Sequence, residues 1–305
     1  MSRPNPSIFF CIVLFASHQW FGAAFFLSRY GSSSTLSYGS SSHSMLHMAA
    51  IRPGESVLVI GGTGGVGQLT IAKLDQRGFG VRTTSRNKNA ARATLSNDKI
   101  DVYEVDLLSK DTTELEKAMD GVSAVVISIG TTAFPTLKWK GGNTPAAIDN
   151  EAVTRIANVA SQNGDKMKKV VLVTSVGIER TSEMPFVILN LFGVLDAKKK
   201  GEDAVMAAAA RGGFDYSIIR PGRLVGGPFT NYDVANLLKI EGGAENGVAV
   251  APGDSLLGDC KRDACAEAIV QALTNDSCNN KILSLISTEE LALTNEQWTQ
   301  AFQSL

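Results

Sequence analysis

The sequence predicts an α/β fold, a doubly wound parallel sheet with helices on both faces and a small C-terminal lobe. Three observations predict it. Short runs rich in Val and Ile recur from Ser56 onward, helical patterns lie between them, and the first run ends in a glycine-rich bend that opens a helix. Strands alternating with helices imply a parallel sheet covered on both sides.

The strand-like runs are SVLVI (56–60), GVRTTSR (80–86), DVYEVD (101–106), AVVISI (124–129), KVVLVTS (169–175) and DYSIIRP (215–221). Their length and composition suit strands buried on both faces. In DTTELEKAMD, Glu114 follows Asp111 by three residues, the spacing of a capping box, and Leu115, Ala118 and Met119 share one helical face. Thr144 is placed to cap the next helix, with Pro145 in its first turn. Ile148, Ala152, Ile156 and Ala160 then follow at i+4 steps. Residues 202–211 form an alanine-rich helix that Gly212 and Gly213 stop. After Pro221 the alternation loosens. GVAVAP (247–252) and KILSLIS (281–287) read as short strands, and 261–274 and 295–304 as helices. No Pro- or Ser-rich linker intervenes. Residues 51–305 therefore read as one domain, in which 215–305 forms a substrate-side lobe.

The first fifty residues differ from the rest. No Asp or Glu occurs before Glu55. Arg3 precedes the apolar run Ile8 to Ala16, which has the charge, length and small-residue exit of a signal-peptide core. A segment with nine serines between Ser28 and Ser44 follows, as in organelle import sequences. Residues 1–17 thus read as signal-peptide-like and 18–50 as transit-peptide-like, a bipartite presequence pointing to a plastid. The alternative is a secretory or membrane-anchored protein, but Ser17, His18 and Gln19 interrupt the apolar stretch, and polar centres are costly in a membrane helix. No stable membrane insertion is expected after processing.

All three histidines (His18, His43, His47) lie in this segment. Its removal leaves none, which excludes Ser–His–Asp hydrolysis and histidine-ligated metals. Cys260, Cys265 and Cys278 contain no CxxC pair, so no thiol metal site is expected. Cys265 shares helical spacing with Ile269, Ala272 and Leu273, which suits core packing. With a net charge of −1, nothing at the level of the whole chain suggests a nucleic-acid or acidic-membrane surface.

The strongest chemical signal is VLVIGGTGGVGQLT, in which Gly61, Gly64 and Gly67 are spaced G-x-x-G-x-x-G. Glycine lets the backbone turn sharply and approach a diphosphate. The first amides of the following helix, around Thr63, Gly65 and Val66, then point at the anion. A strand before the bend and a helix after it favour a dinucleotide over a bare turn. The second strand ends with Ser85, Arg86 and Lys88, where a site selective for NAD would carry a carboxylate. A guanidinium there forks onto a 2′-phosphate, so NADPH is expected over NADH.

With these motifs the sequence resembles the atypical short-chain dehydrogenase/reductases, the NAD(P)H-binding, NmrA-like group, and within it plastid members of plants and algae. The resemblance runs from about Ser56 to the C-terminus. It rests on GGTGGVG, VDL (105–107), ISIG (127–130), LVTSVG (172–177), KKKGED (198–203) and IIRPGRL (218–224). It implies a Rossmann domain. It further implies that Asp106 bonds the adenine amino group, that Ser128 and Gly130 run along the adenosine ribose and phosphates, that Ser175 stands beside the nicotinamide, and that Pro221 and Gly222 border its pocket.

One part of the conventional machinery is missing. Many short-chain reductases carry a tyrosine four residues before a lysine. Lys198 is present, but Val194 stands four before it, and Tyr103, Tyr216 and Tyr232 are followed at that distance by Leu107, Arg220 and Asn236. Lys198 is left as a cofactor ligand, with Lys199 and Lys200 as alternatives in register. Glu202, one turn on, is positioned to pair with Lys198. Two functions follow. One is an NADPH-dependent oxidoreductase in which Ser175 and Lys198 act on a conjugated or quinone-like acceptor, with Phe134 and Trp139 as stacking faces and Lys138 and Lys140 as carboxylate partners. The other is a non-catalytic dinucleotide-sensing or assembly protein of the plastid.

Overall fold

Val57 and Val59 of the first strand enter one hydrophobic cluster, Leu58 and Ile60 another. Successive side chains in a strand point to opposite faces, so an uninterrupted apolar run needs cover on both. The computed structural model, which describes residues 50–131, 135, 137–226 and 247–305, provides it. The signal-peptide-like segment, the transit-peptide-like segment apart from Ala50, the three histidines, Phe134, the side chain of Lys138, Tyr232 and Asn236 lie outside the described residues.

The strands are β1 (Ser56–Ile60), β2 (Gly80–Ser85), β3 (Asp101–Glu104), β4 (Ala124–Ile127), β5 (Lys169–Val173), β6 (Asp215–Pro221), β7 (Arg223–Val225), β8 (Val248–Pro252), β9 (Asp259–Lys261) and β10 (Lys281–Ser287). Among the described residues they form an eight-stranded sheet of order β3-β2-β1-β4-β5-β6-β10-β8 and a small β7-β9 pair. Every neighbour in the large sheet is parallel except β8, which runs antiparallel to β10. The order reverses between β1 and β4, which opens a crevice beyond their C-terminal ends.

The helices are α1 (Gly65–Gln76), α2 (Lys88–Leu95), α3 (Thr113–Met119), α4 (Val153–Gln162), α5 (Phe186–Leu189), α6 (Val194–Gly212), α7 (Arg262–Thr274) and α8 (Asn295–Gln303). Leu69, Ile71 and Leu74 of α1 share one cluster with Ile269, Ala272 and Leu273 of α7 and with Trp298 and Phe302 of α8. On the opposite face α3, α4 and α6 contribute Leu115, Ile156 and Val205. Cys265 is buried in the first cluster, as its spacing predicts. The last third adds β10 and β8 to the sheet edge and lays α7 against α1, so its core is continuous with the rest.

Three local expectations change. The Asp111–Glu114 capping box does not form. Asp111 Oδ1 accepts from the Thr113 amide at 3.0 Å, a two-residue turn, and Glu114 pairs with Lys117. The helix expected at 202–211 starts eight residues earlier, because Gly193 at φ 70° bends the chain and a run of good helix formers follows. Lys198 is therefore inside a helix. The segment after Thr144, whose hydroxyl accepts from the Ala147 amide at 3.3 Å, is a π-helical turn (Ala146–Ala152) before it becomes α4.

At the other end of the chain Thr294 and Gln297 form a reciprocal capping box on α8. Thr294→Ala is expected to cost about 1 kcal/mol, read as a lower urea midpoint, with Thr294→Ser close to wild type.

Candidate dinucleotide site

Gly61 sits at φ +89°, a region closed to most side chains. A Cβ there would stand 2.8 Å from the Ser128 carbonyl carbon. A Cβ on Gly67 would be 2.8 Å from both the Gly61 carbonyl carbon and Gly62 Cα. The bend and the first turn of α1 therefore touch backbone to backbone. Gly62, which the glycine spacing alone does not single out, is crowded by side chains instead: a Cβ would lie 2.6 Å from Ile71 Cδ1. The Gly64 amide donates to the Gly61 carbonyl at 2.9 Å and closes the turn.

α1 begins at Gly65 with no side-chain cap and no acid in its first turn. Its opening amides are left for an external acceptor, at the positive end of the helix dipole. Gly65, Val66 and Gly67 all lie in that turn, with Val66 buried. Such a cradle, with glycines where a Cβ would intrude, fits a diphosphate.

A cleft of about 570 Å³ opens from this bend across the ends of β1 to β4. Gly61, Thr63, Gly64, Arg86, Asp106, Ser128 and Gly130 all line it. Seven residues chosen from four separate sequence stretches thus share one wall. Arg86 stands at the β2 end, with Nη1 3.4 Å from Asn143 Oδ1. Asn143 and Trp139 reach the cleft from a short turn (Leu137–Gly142) and its continuation. Asp106 Oδ1 accepts from the Leu108 amide at 3.0 Å, so it orders the loop after β3 while facing the cleft. The Ser128 amide extends the β1 pairing by donating to Ile60 O at 2.9 Å.

Ser175, Lys198, Pro221 and Gly222 do not line that cleft: Ser175, Pro221 and Gly222 lie at the ends of β5 and β6, and Lys198 is on α6. The Ser175 hydroxyl donates to the Val176 carbonyl at 3.0 Å, and the Val176 amide donates to Pro221 O at 3.1 Å. Gly222 packs so tightly that a Cβ would be 3.0 Å from the Gly258 carbonyl carbon. The three lysines separate cleanly. Lys200 is exposed, Lys199 pairs with Asp203 on the surface, and Lys198 turns inward to Asp149, Nζ to Oδ1 2.5 Å.

Glu202 does not pair with Lys198. It faces the sheet, fully buried, and takes two hydrogen bonds from Arg220: Nε to Oε1 at 2.9 Å and Nη2 to Oε2 at 2.6 Å. The Thr174 hydroxyl donates to the same carboxylate at 2.7 Å, and Arg220 Nη1 reaches Glu179 at 2.7 Å. Burial pushes the Arg220 pKa down, but hydrogen bonds and charge from Glu202 and then Glu179 hold it above the ordinary arginine value. This cluster ties α6 to the ends of β5 and β6. The sequence carries a trace of it in the arginine of IIRPG, a charged residue inside an apolar strand.

Val194, at the position of the absent tyrosine, is buried with Val176, Ile178, Phe186 and Leu195. Beside this cluster Met184, Val187, Ile188, Leu191 and Phe192 are exposed. Phe192 meets Trp139 edge-on with ring centroids 6.1 Å apart, which brings the apolar segment to the cleft margin. Asp149 and Thr131 were not readable as site residues. Their roles depend on the π-helical turn.

Known proteins place the chain in a family. A family model described as NAD(P)H-binding matches residues 61–276. The chloroplastic protein TIC 62 of Pisum sativum is 30% identical over 222 residues, covering 60% of this chain and 39% of the pea protein. The chain thus matches well under half of that relative's length. An uncharacterized chloroplastic protein of Arabidopsis thaliana is 26% identical over 77% of this chain and 78% of its own. Among solved structures, ChuY, an anaerobillin reductase from Escherichia coli O157:H7, superposes with a TM-score of 0.57 at 18% identity, covering 76% of this chain and 96% of that one. That likeness establishes the Rossmann-type fold.

Proposed function

Because the chain belongs to the NAD(P)H-binding family, we propose that it is an NADPH-dependent reductase of a flat, conjugated or quinone-like acceptor, working without a tyrosine proton donor. The observation that carries this reading is the cleft running from the glycine bend to Arg86, with apolar ground where the tyrosine would stand. A nicotinamide bound there supplies hydride. The chain's own residues bind and orient it. First-turn amides of α1 hold the diphosphate, Arg86 forks onto the 2′-phosphate, Asp106 meets the adenine amino group, and Ser128 and Gly130 follow the ribose. Pro221 and Gly222 border the nicotinamide, Lys198 serves its ribose, and Ser175 polarises the acceptor.

A missing general acid forfeits about 10²–10⁴-fold for a simple ketone. An acceptor that spreads the incoming charge over a conjugated system loses far less and takes its proton from solvent. The exposed apolar segment around Phe192 and the neighbouring Trp139 suit such an acceptor.

Oxidation of NADPH by the full-length chain against a panel of quinones and flavins tests the proposal, with turnover above buffer for at least one expected. Turnover at buffer level throughout, with NADPH still binding in calorimetry, would discard the enzyme reading for those acceptors and leave the second reading, a dinucleotide-sensing or assembly protein. The buried Val194, standing where the tyrosine would be, favours that reading. Arg86→Ala is expected to weaken NADPH about tenfold or more while changing NADH little, since it removes charged hydrogen bonds to the 2′-phosphate alone. Equal weakening of both would refute the role of Arg86.

We also propose that residues 1–17 and 18–50 are removed on entry to a plastid, leaving 51–305 as the working domain with 215–305 on its substrate side. Both curated relatives described above are chloroplastic, and no helix among the described residues is long and apolar enough to cross a membrane. Mass spectrometry of the protein from its own cells should find a mature N-terminus near residue 50.

A further inference from the structure

Asp149 is a buried acid. Its side chain is 1% exposed. Both oxygens are engaged. Oδ1 accepts from Lys198 Nζ at 2.5 Å, and Oδ2 accepts from the Thr131 amide at 3.1 Å and from the Thr131 hydroxyl. Thr131 follows Gly130 at the end of the β4 segment, so the carboxylate is bolted to the cleft wall.

Local backbone geometry brings these groups together. Asp149 lies in the π-helical turn, where the extra residue per turn rotates side chains away from the α-helical register. Gly201, three residues after Lys198 on α6, lets that helix approach the turn: a Cβ there would collide with the Asp149 carbonyl oxygen and lie 3.2 Å from Val153 Cγ1. α6 can therefore press its Lys198 face directly onto Asp149.

Gly130 completes the arrangement. A Cβ on Gly130 would be 2.9 Å from Lys198 Nζ and 3.2 Å from Asp149 Oδ1. No side chain at position 130 separates the ammonium from the wall of the cleft. An ammonium carries three N–H donors, and Asp149 takes one. A free lysine samples many rotamers, and fixing it costs entropy at the moment of binding. Here the cost is met in the fold.

We propose that Asp149 is the positioning residue of Lys198, holding its ammonium behind Gly130 so that the remaining donors meet the nicotinamide-side ribose of the bound dinucleotide. The inference rests on the dinucleotide reading of the cleft. It also accounts for a lysine retained without its tyrosine: a carboxylate from the π-helical turn orients it.

The test uses the full-length chain and calorimetry with two ligands. NADPH spans the whole cleft, and 2′,5′-ADP carries only the adenosine half. Lys198→Met and Asp149→Asn should each weaken NADPH about tenfold or more and leave 2′,5′-ADP within about twofold. The double variant should be no weaker than Lys198→Met alone, because the two side chains act through one contact. Thr131→Val removes a donor to Asp149 without changing charge. It should weaken NADPH in the same selective way by a smaller factor, and it serves if Asp149→Asn does not fold. A purely structural ion pair would lower both affinities together, or neither, and either result overturns the proposal. So would additive losses in the double variant. Wild type binding neither ligand overturns the dinucleotide reading itself. Wild type binding both, with Asp149→Asn and Thr131→Val unchanged, overturns this inference alone.

Discussion

Glu202→Ala is expected to destabilise the fold by about 3–5 kcal/mol, because it strands a buried guanidinium. Arg220 is 0% exposed and its Nε and Nη2 donate to the Glu202 carboxylate. Native domains are stable by only about 5–15 kcal/mol, so urea denaturation should show a large loss. Glu179 also pairs with Arg220, but its side chain is 50% exposed, so Glu179→Gln should cost under about 1 kcal/mol. The joint replacement Arg220→Met with Glu202→Leu should recover most of the loss, since removing both charges removes the desolvation penalty. A Glu202→Ala protein within about 1 kcal/mol of wild type would show that Arg220 finds water or another partner.

Gly67→Ala is the second change with a large expected effect. Its methyl would press into the Gly61 carbonyl and stand 2.8 Å from Gly62 Cα. These are backbone atoms of the bend itself, so the bend must open or α1 must tilt. Overpacking of this kind costs about 1–3 kcal/mol, or roughly 5- to 150-fold if it falls on binding. Calorimetry should show NADPH and 2′,5′-ADP weakened alike, since both need the bend. Gly54→Ala offers a contrast: a Cβ there meets nothing within 4 Å, although φ is +91°. It should cost stability through its backbone and spare affinity. Unchanged affinity in Gly67→Ala would remove the bend from the binding site.

The strands and the cleft-wall residues were legible in the sequence because each rests on local pattern. SVLVI is buried on both faces in any parallel sheet, and a glycine bend between strand and helix has few other uses. Arg86 could be picked out because it follows the second strand, and strand ends in a parallel sheet open on the same side; Asp106, Ser128 and Gly130 rested on the family resemblance. The boundaries of α6 were harder. Gly201 lowers helix propensity in its middle, so the pattern alone begins the helix at 202, whereas tertiary packing against the π-helical turn favours glycine there.

The sequence by itself determined the alternation of strand and helix, the glycine bend and the absence of a tyrosine–lysine pair, since each depends on residue type and short spacing. Only the tertiary structure decided which lysine turns inward, that Glu202 serves Arg220 instead of Lys198, and that Asp149 pairs with Lys198. Those choices hang on side chains 18 to 49 residues apart meeting across helix and sheet, and on one irregular helical turn whose register no periodic pattern encodes.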